Sequence, residues 1–417
     1  MRVCFVLPSL RPSGGVAVAT RFARALRSGH GVEAELVVLE GGGHEPGDVP
    51  VLELADARGR GHDVALATWW ETVAPAASLG AARTAVLLQS FEQRFYGRDS
   101  PFDRIGAEAI LSGPTSFVAV AAWIRDLLLR LRPDARCHVV RPGIDKRVFE
   151  GVREEREGPL RVLIEGQPGL PFKGVEQAVA SVQAMREPVH STLVALDPGA
   201  AGDLPVDRVV GGLDPAAMAA LYRESDVLLK LSRVEGLGLA PVEGFHSGLP
   251  CVVTPFTGSE AYARDGENAM IVGFDDAPGT AATLDALARR RALLAELGEG
   301  ALATAAEWPS VEEATAELHS ALEQTLAEEE PAPDARLLRR TLELGTEIGR
   351  GRTDRLRSAT EEALTDAQAQ VRDLFASRDD CLEALETTRA ELVQARISAQ
   401  YRLRSAVKRA TRRVTGR

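Results

Sequence analysis

Of the 49 basic residues in this 417-residue chain, only four are lysines: Lys146, Lys173, Lys230 and Lys408. Arginine-rich coding accounts for the bias, and it makes each lysine a position to ask about. Cysteine is as scarce: Cys4, Cys137, Cys251 and Cys381 are far apart and form no Cys-x-x-Cys pair. That argues against a metal-binding or disulfide framework and for reduced, structural thiols in a reducing compartment. No Asp-x-Asp motif occurs. The N-terminal apolar run is cut off by Pro8, too short for a secretory signal, and no later run approaches membrane-spanning length. The expectation is a cytoplasmic protein. A net charge of -11 argues against general nucleic-acid binding.

What is present is ordinary globular material, 45% hydrophobic and 26% charged, in a chain long enough for two cores and an extension. Apolar runs alternate with helix-like segments. Strands are expected at Val3-Leu7, Leu36-Leu39, Val64-Thr68, Ala85-Leu88, Phe117-Val120 and His138-Val140, with a helix from about Val16 to Arg27. After the break at Arg141-Pro142-Gly143-Ile144-Asp145 the alternation resumes. Further strands are expected at Arg161-Glu165, Thr192-Leu196, Val227-Leu231, Cys251-Thr254 and Met270-Val272. This pattern predicts an α/β protein with two parallel-sheet, Rossmann-like domains, 1–148 and 149–308, facing a cleft. A closing helix and linker (309–333) would lead to a helical tail (334–417).

In the tail, Leu364, Val371, Leu385 and Leu392 share one heptad position, interrupted by Arg378. A weak dimerising coiled coil and a single amphipathic helix packing on the body are both open. No acidic residue follows Glu391, whereas Arg402, Arg404, Lys408, Arg409, Arg412, Arg413 and Arg417 do. Such an end suits either contact with an anionic membrane surface or a solvated terminus.

The chemistry concentrates in Ser232-Arg233-Val234-Glu235-Gly236-Leu237-Gly238-Leu239-Ala240-Pro241-Val242-Glu243. An apolar strand, a glycine-rich turn and Pro241 in a helix's first turn form a strand-turn-helix whose free amides suit a diphosphate. Glu235 in the turn could meet a sugar hydroxyl, and Glu243 could take two ribose hydroxyls. Lys173, in Gly166-Gln167-Pro168-Gly169-Leu170-Pro171-Phe172-Lys173-Gly174, could neutralise diphosphate charge; taken alone it would read as an exposed loop lysine. Gly14 and Gly15 after the first strand allow a close backbone approach to a phosphate or sugar, though a plain turn is the default for such a pair.

Together these motifs resemble glycosyltransferase family 4, retaining enzymes of the GT-B fold, over residues 1 to 330. The resemblance is strongest from Ser232 to Val272. It puts the family's paired glutamates on Glu235 and Glu243 and its phosphate-binding lysine on Lys173. Gln167 stands where the family usually has an arginine, and Arg233 is the nearest substitute in sequence. The run Leu88-Gln89-Ser90-Phe91-Glu92-Gln93-Arg94-Phe95-Tyr96 is similar to a rhamnosyltransferase-like bacterial subset. Gln89, Glu92 and Glu71 are the acceptor-side candidates. A helix N-terminal carboxylate and a surface charge are the plain alternatives for Glu92 and Glu71.

The resemblance implies metal-independent transfer from a nucleotide diphosphate sugar to a glycan or lipid-linked acceptor, with no cofactor. It implies a role in bacterial cell-surface polysaccharide synthesis. Two rivals stand beside it: a nucleotide-sugar epimerase on the same fold, and a non-catalytic scaffold assembled through its tail.

Overall fold

The computed structural model describes residues 1–328, apart from 42, 44–45, 98–99, 110, 112, 114–115 and 154–155, together with Thr365. The tail from 334 onward, with its heptads and basic end, otherwise lies outside the described residues, as does Cys381.

The first sheet has seven strands: β1 Arg2–Leu7, β2 Glu33–Val38, β3 Val51–Glu53, β4 Val64–Ala67, β5 Arg83–Leu88, β6 Ser116–Ala119 and β7 Arg136–Val139. They pair in parallel in the order β3-β2-β1-β4-β5-β6-β7. The second sheet has six: β8 Leu160–Glu165, β9 Val189–Val194, β10 Arg208–Val210, β11 Val227–Lys230, β12 Cys251–Val253 and β13 Ala269–Ile271. These are also parallel, in the order β10-β9-β8-β11-β12-β13. The two-domain α/β expectation is thus met.

Central parallel strands are covered on both faces, so they read as unbroken apolar runs rather than alternating ones. Val3, Cys4, Phe5, Val6 and Leu7 of β1 are all buried, as are Val227, Leu228 and Leu229 of β11. Cys4, Cys137 and Cys251 are unpaired thiols. Burial lifts the Cys4 thiol to about 12, which keeps it an inert packing group.

Several of the described helices start where a side chain satisfies an orphan amide. Ser13 accepts from the Val16 amide ahead of the Gly14–His30 helix, and Asp214 caps Pro215–Glu224. Ser310 and Glu313 form a reciprocal capping box on Val311–Ala327. That last helix packs against Gly14–His30, with His30 and His319 stacked at 4.7 Å, so the chain finishes this region on the domain where it began. The two crossings between domains meet: Trp308 Nε1 donates to the Pro142 carbonyl at 3.1 Å, and the Ile144 amide donates to the Pro309 carbonyl at 3.1 Å.

Each strand order reverses once beside the first strand of its sheet, between β1 and β4 and between β8 and β11. Loops at the carboxyl ends of such neighbouring strands diverge and leave a crevice, the usual ligand site of open parallel sheets.

Candidate active site between the two sheets

In the second domain, the parallel register pairs Leu229 with Ile164. One step further, Lys230 at the end of β11 stands beside Glu165 at the end of β8, and the two form an ion pair. Directly above, the loop after β11 returns Glu235. Its Oε1 accepts from Lys230 Nζ, from Lys173 Nζ and from Ser232 Oγ, each at 2.9 Å. Glu235 is 8% exposed and Lys230 2% exposed, so both charges are almost out of water. Burial alone would raise the Glu235 carboxyl; the Lys230 and Lys173 ammoniums reverse this and hold it at about 2. Burial likewise opposes the Lys230 charge, and Glu165 and Glu235 override it, pushing its pKa up. The carboxylate is therefore ionised and fixed on one oxygen. Its Oε2 has no hydrogen-bond partner among the described residues and is the atom left for a ligand.

The turn from Glu235 to the Leu239–Phe245 helix is fixed from two sides. Gly238 has φ +76°, and a Cβ there would stand 2.9 Å from the Phe256 ring. Tyr262 Oη is shared between the Leu237 carbonyl (3.2 Å) and the Gly238 carbonyl (2.9 Å). A Cβ on Gly236 would collide with the Gln89 carbonyl of the first domain. Trp123 Nε1 also donates to the Gly236 carbonyl at 2.7 Å. Only glycine permits this approach of two backbones across the cleft.

Glu243 sits on the Leu239–Phe245 helix, largely buried. It accepts from Tyr222 Oη at 3.2 Å and lies 3.8 Å from the Arg21 guanidinium, which reaches over from the first domain. Burial raises its carboxyl, and Arg21 moderates the rise. Gly14 and Gly15 open the helix that carries Arg21. Gly15 lies close under the Gln89 amide, which itself bonds to the Thr68 carbonyl at 3.3 Å.

Lys173, Glu235, Glu243, Gly15, Gln89 and the Gly236-Leu237-Gly238 turn thus converge on the cleft. Two donor-side candidates turn elsewhere. Gln167 is tied to the main chain of Asp197, accepting from its amide at 2.9 Å and donating to its carbonyl at 3.4 Å. Arg233 pairs with Asp275 and lies over the Phe274 ring, so the nearest arginine in sequence does not stand beside Lys173 as a second cation. Glu92 is buried, with Oε2 accepting from the Trp70 amide at 2.6 Å; burial holds its carboxyl well above the ordinary range. It fastens the Trp70–Thr72 turn. Glu71, in that turn, is half-buried; Trp69, which precedes the turn, stacks on Phe95 at 6.1 Å. Among the described residues, no cluster of His, Cys, Asp and Glu has metal-holding geometry.

Sequence reasoning missed Lys230, Glu165, Arg21, Tyr222 and Trp123. The scarcity of lysine was the one signal pointing at Lys230. Arg21 carries no local signal, because its partner lies 222 positions on.

Residues 208–303 match the family described as glycosyl transferases group 1. The O-antigen biosynthesis protein RfbC of Myxococcus xanthus is 25% identical over 329 residues, covering 69% of this chain and 24% of that protein. D-inositol 3-phosphate glycosyltransferase 1 of Catenulispora acidiphila is 27% identical over 267 residues, 55% of this chain and 61% of that protein. The chain therefore spans about a quarter to three fifths of the length of these relatives. HepE of Anabaena, crystallised with UDP-glucose, is 15% identical with a TM-score of 0.66, covering 78% of this chain and 100% of that one. The chain has the two-domain GT-B fold, and the part of it matching glycosyl transferases group 1 is the stretch that carries Glu235 and Glu243.

Proposed function

We propose that this chain is a retaining glycosyltransferase of family 4. It would move a hexosyl or deoxyhexosyl group from a nucleotide diphosphate sugar onto a glycan or lipid-linked acceptor in cell-surface polysaccharide synthesis. The observation that carries the reading is the convergence of Lys173, Glu235 and Glu243 at the switch point between β8 and β11, under a facing wall that contributes Arg21 and Gln89. The O-antigen role of RfbC and the UDP-glucose bound to HepE point the same way.

On this reading Glu243 holds the ribose hydroxyls and Lys173 the diphosphate. The free Oε2 of Glu235 accepts from a sugar hydroxyl. As the anomeric C–O bond breaks, negative charge grows on the departing phosphate, and Lys173 with the amides of the Gly236–Gly238 turn stabilises it. The acceptor arrives on the face the phosphate leaves, and a phosphate oxygen takes its proton, so neither a metal nor a protein base is required. The Trp123 and Gln89 contacts to Gly236, the Arg94–Thr257 hydrogen bond (2.7 Å) and the Phe95–Phe172 ring contact (5.3 Å) hold the cleft shut and would keep water from the donor. The run from Leu88 to Tyr96 is what favours a rhamnosyl donor. The tail at 334–417 is proposed to dimerise the enzyme or hold it at a membrane face.

Gln167, drawn off to Asp197, favours a second reading: a non-catalytic chain that binds the nucleotide without turning it over. Incubation with a panel of nucleotide sugars and acceptor glycolipids, following nucleoside diphosphate release, separates the two. The enzyme reading expects release abolished by Glu235→Gln. Binding of a nucleotide sugar without release, across the panel, would establish the scaffold.

A further inference from the structure

The arrangement around Glu235 poses an electrostatic problem. A buried carboxylate bonded to the phosphate-binding lysine competes with the diphosphate for that lysine and repels it. In a low-dielectric site such competition is severe. The usual second cation is replaced by Gln167, and Arg233 is committed to Asp275. Lys173 alone would then have to satisfy both Glu235 and the incoming anion.

Lys230 answers this. It approaches Glu235 from beneath, nearly inaccessible to solvent, and shares the same Oε1 with Lys173. Glu165 closes the row on the far side of Lys230. The four groups Glu165, Lys230, Glu235 and Lys173 sum to zero charge. With Lys230 and Ser232 Oγ remaining on Oε1, Lys173 can leave without stranding a bare buried carboxylate.

Accepting the nucleotide-sugar reading above, on which this rests, we propose that Lys230 is a positioning residue of the donor site: it neutralises and anchors Glu235 from below, and so releases Lys173 to the diphosphate. Lys230 itself need not touch the donor. The idea predicts an order of affinities that follows net charge rather than the number of native contacts kept. Glu235→Gln leaves the row at +1 and binds a nucleoside diphosphate more tightly than the wild type. The double variant Lys230→Met/Glu235→Gln restores zero charge and binds like the wild type. Lys230→Met leaves the row at -1 and binds more weakly.

The test is calorimetric titration of the full chain and these three variants with UDP, GDP, ADP and dTDP, and with the corresponding nucleosides. The expected result is at least threefold tighter diphosphate binding for Glu235→Gln and a double variant within threefold of wild type. Lys230→Met should bind at least tenfold more weakly, with nucleoside affinity unchanged throughout. If Lys230→Met does not fold, the Glu235→Gln gain and its cancellation in the double variant carry the test. Equal losses in nucleoside and diphosphate binding, or a double variant weaker than both singles, would overturn the proposal and leave Lys230 as packing. Wild-type chain that binds none of the four diphosphates would overturn the donor reading itself, and the proposal with it.

Discussion

The two sheet edges that face each other across the cleft solve different problems. Beneath the edge of β8 and β11, four charges lie within one connected row, two of them almost wholly buried. Along the edge of β1, β4 and β5, the corresponding positions include Thr68, Trp69 and Gln89, which bond to main chain or stack, and the buried acid Glu92 serves the Trp70 amide. On the proposed reading, the first edge holds ionised groups in place for a charged ligand. The second is shaped by backbone and rings, which suits an uncharged one. Buried charge is retained only where partners compensate it. On that reading its location marks the donor side of the cleft, more sharply than shape does.

That contrast can be broken most forcefully at Lys230. Removing one partner of a buried charge pair costs about 3–5 kcal/mol, so Lys230→Met should lower unfolding stability by that order in urea titration. The Glu235→Gln partner change should recover a substantial part of it. The same row sets the acid limb. Because the Glu235 carboxyl is lowered from 4.5 to about 2, its stabilisation is complete above 4.5 and is lost as pH falls toward 2. Acid unfolding of Glu235→Gln should lack that component. On the opposite edge, Glu92→Ala strands the buried Trp70 amide and should cost about 1–3 kcal/mol, with nucleoside diphosphate binding unchanged. Trp123→Phe removes one hydrogen bond across the cleft, worth about 0.5–1.5 kcal/mol. Its readout is a more open scattering envelope and faster donor hydrolysis. Arg233→Ala breaks an exposed pair with Asp275 and should change stability by no more than about 1 kcal/mol. A large loss of diphosphate affinity there would restore Arg233 as the second cation.

The core strands were legible because burial on both faces leaves an unbroken apolar run, as in Val3-Leu7 and Cys251-Val253. The edge strands β3 and β10 were missed for the same physical reason: Val51–Glu53 and Arg208–Val210 are half-exposed or exposed and carry no such run. Glu235 and Glu243 could be read because strand, glycine turn and proline-bearing helix are local in sequence, whereas Lys173, in a separate loop, was picked out by the family resemblance. Their partners could not, since Lys230 pairs across 65 residues with Glu165 and Arg21 across 222 with Glu243. Gln167 was visible as a departure, but its tie to Asp197 depends on the packing of β8 against β9.

The central claim is that the charged edge is a nucleoside diphosphate site. It is tested most directly by thermal stabilisation of the full chain with UDP, GDP, ADP and dTDP, beside Lys173→Ala and Glu243→Ala. A ligand at a hundred times its dissociation constant adds about 2.7 kcal/mol of stability. The account predicts that one nucleotide stabilises the wild type and that both variants lose the effect. A nucleotide that stabilises both variants as fully as the wild type would place its site elsewhere and contradict the account.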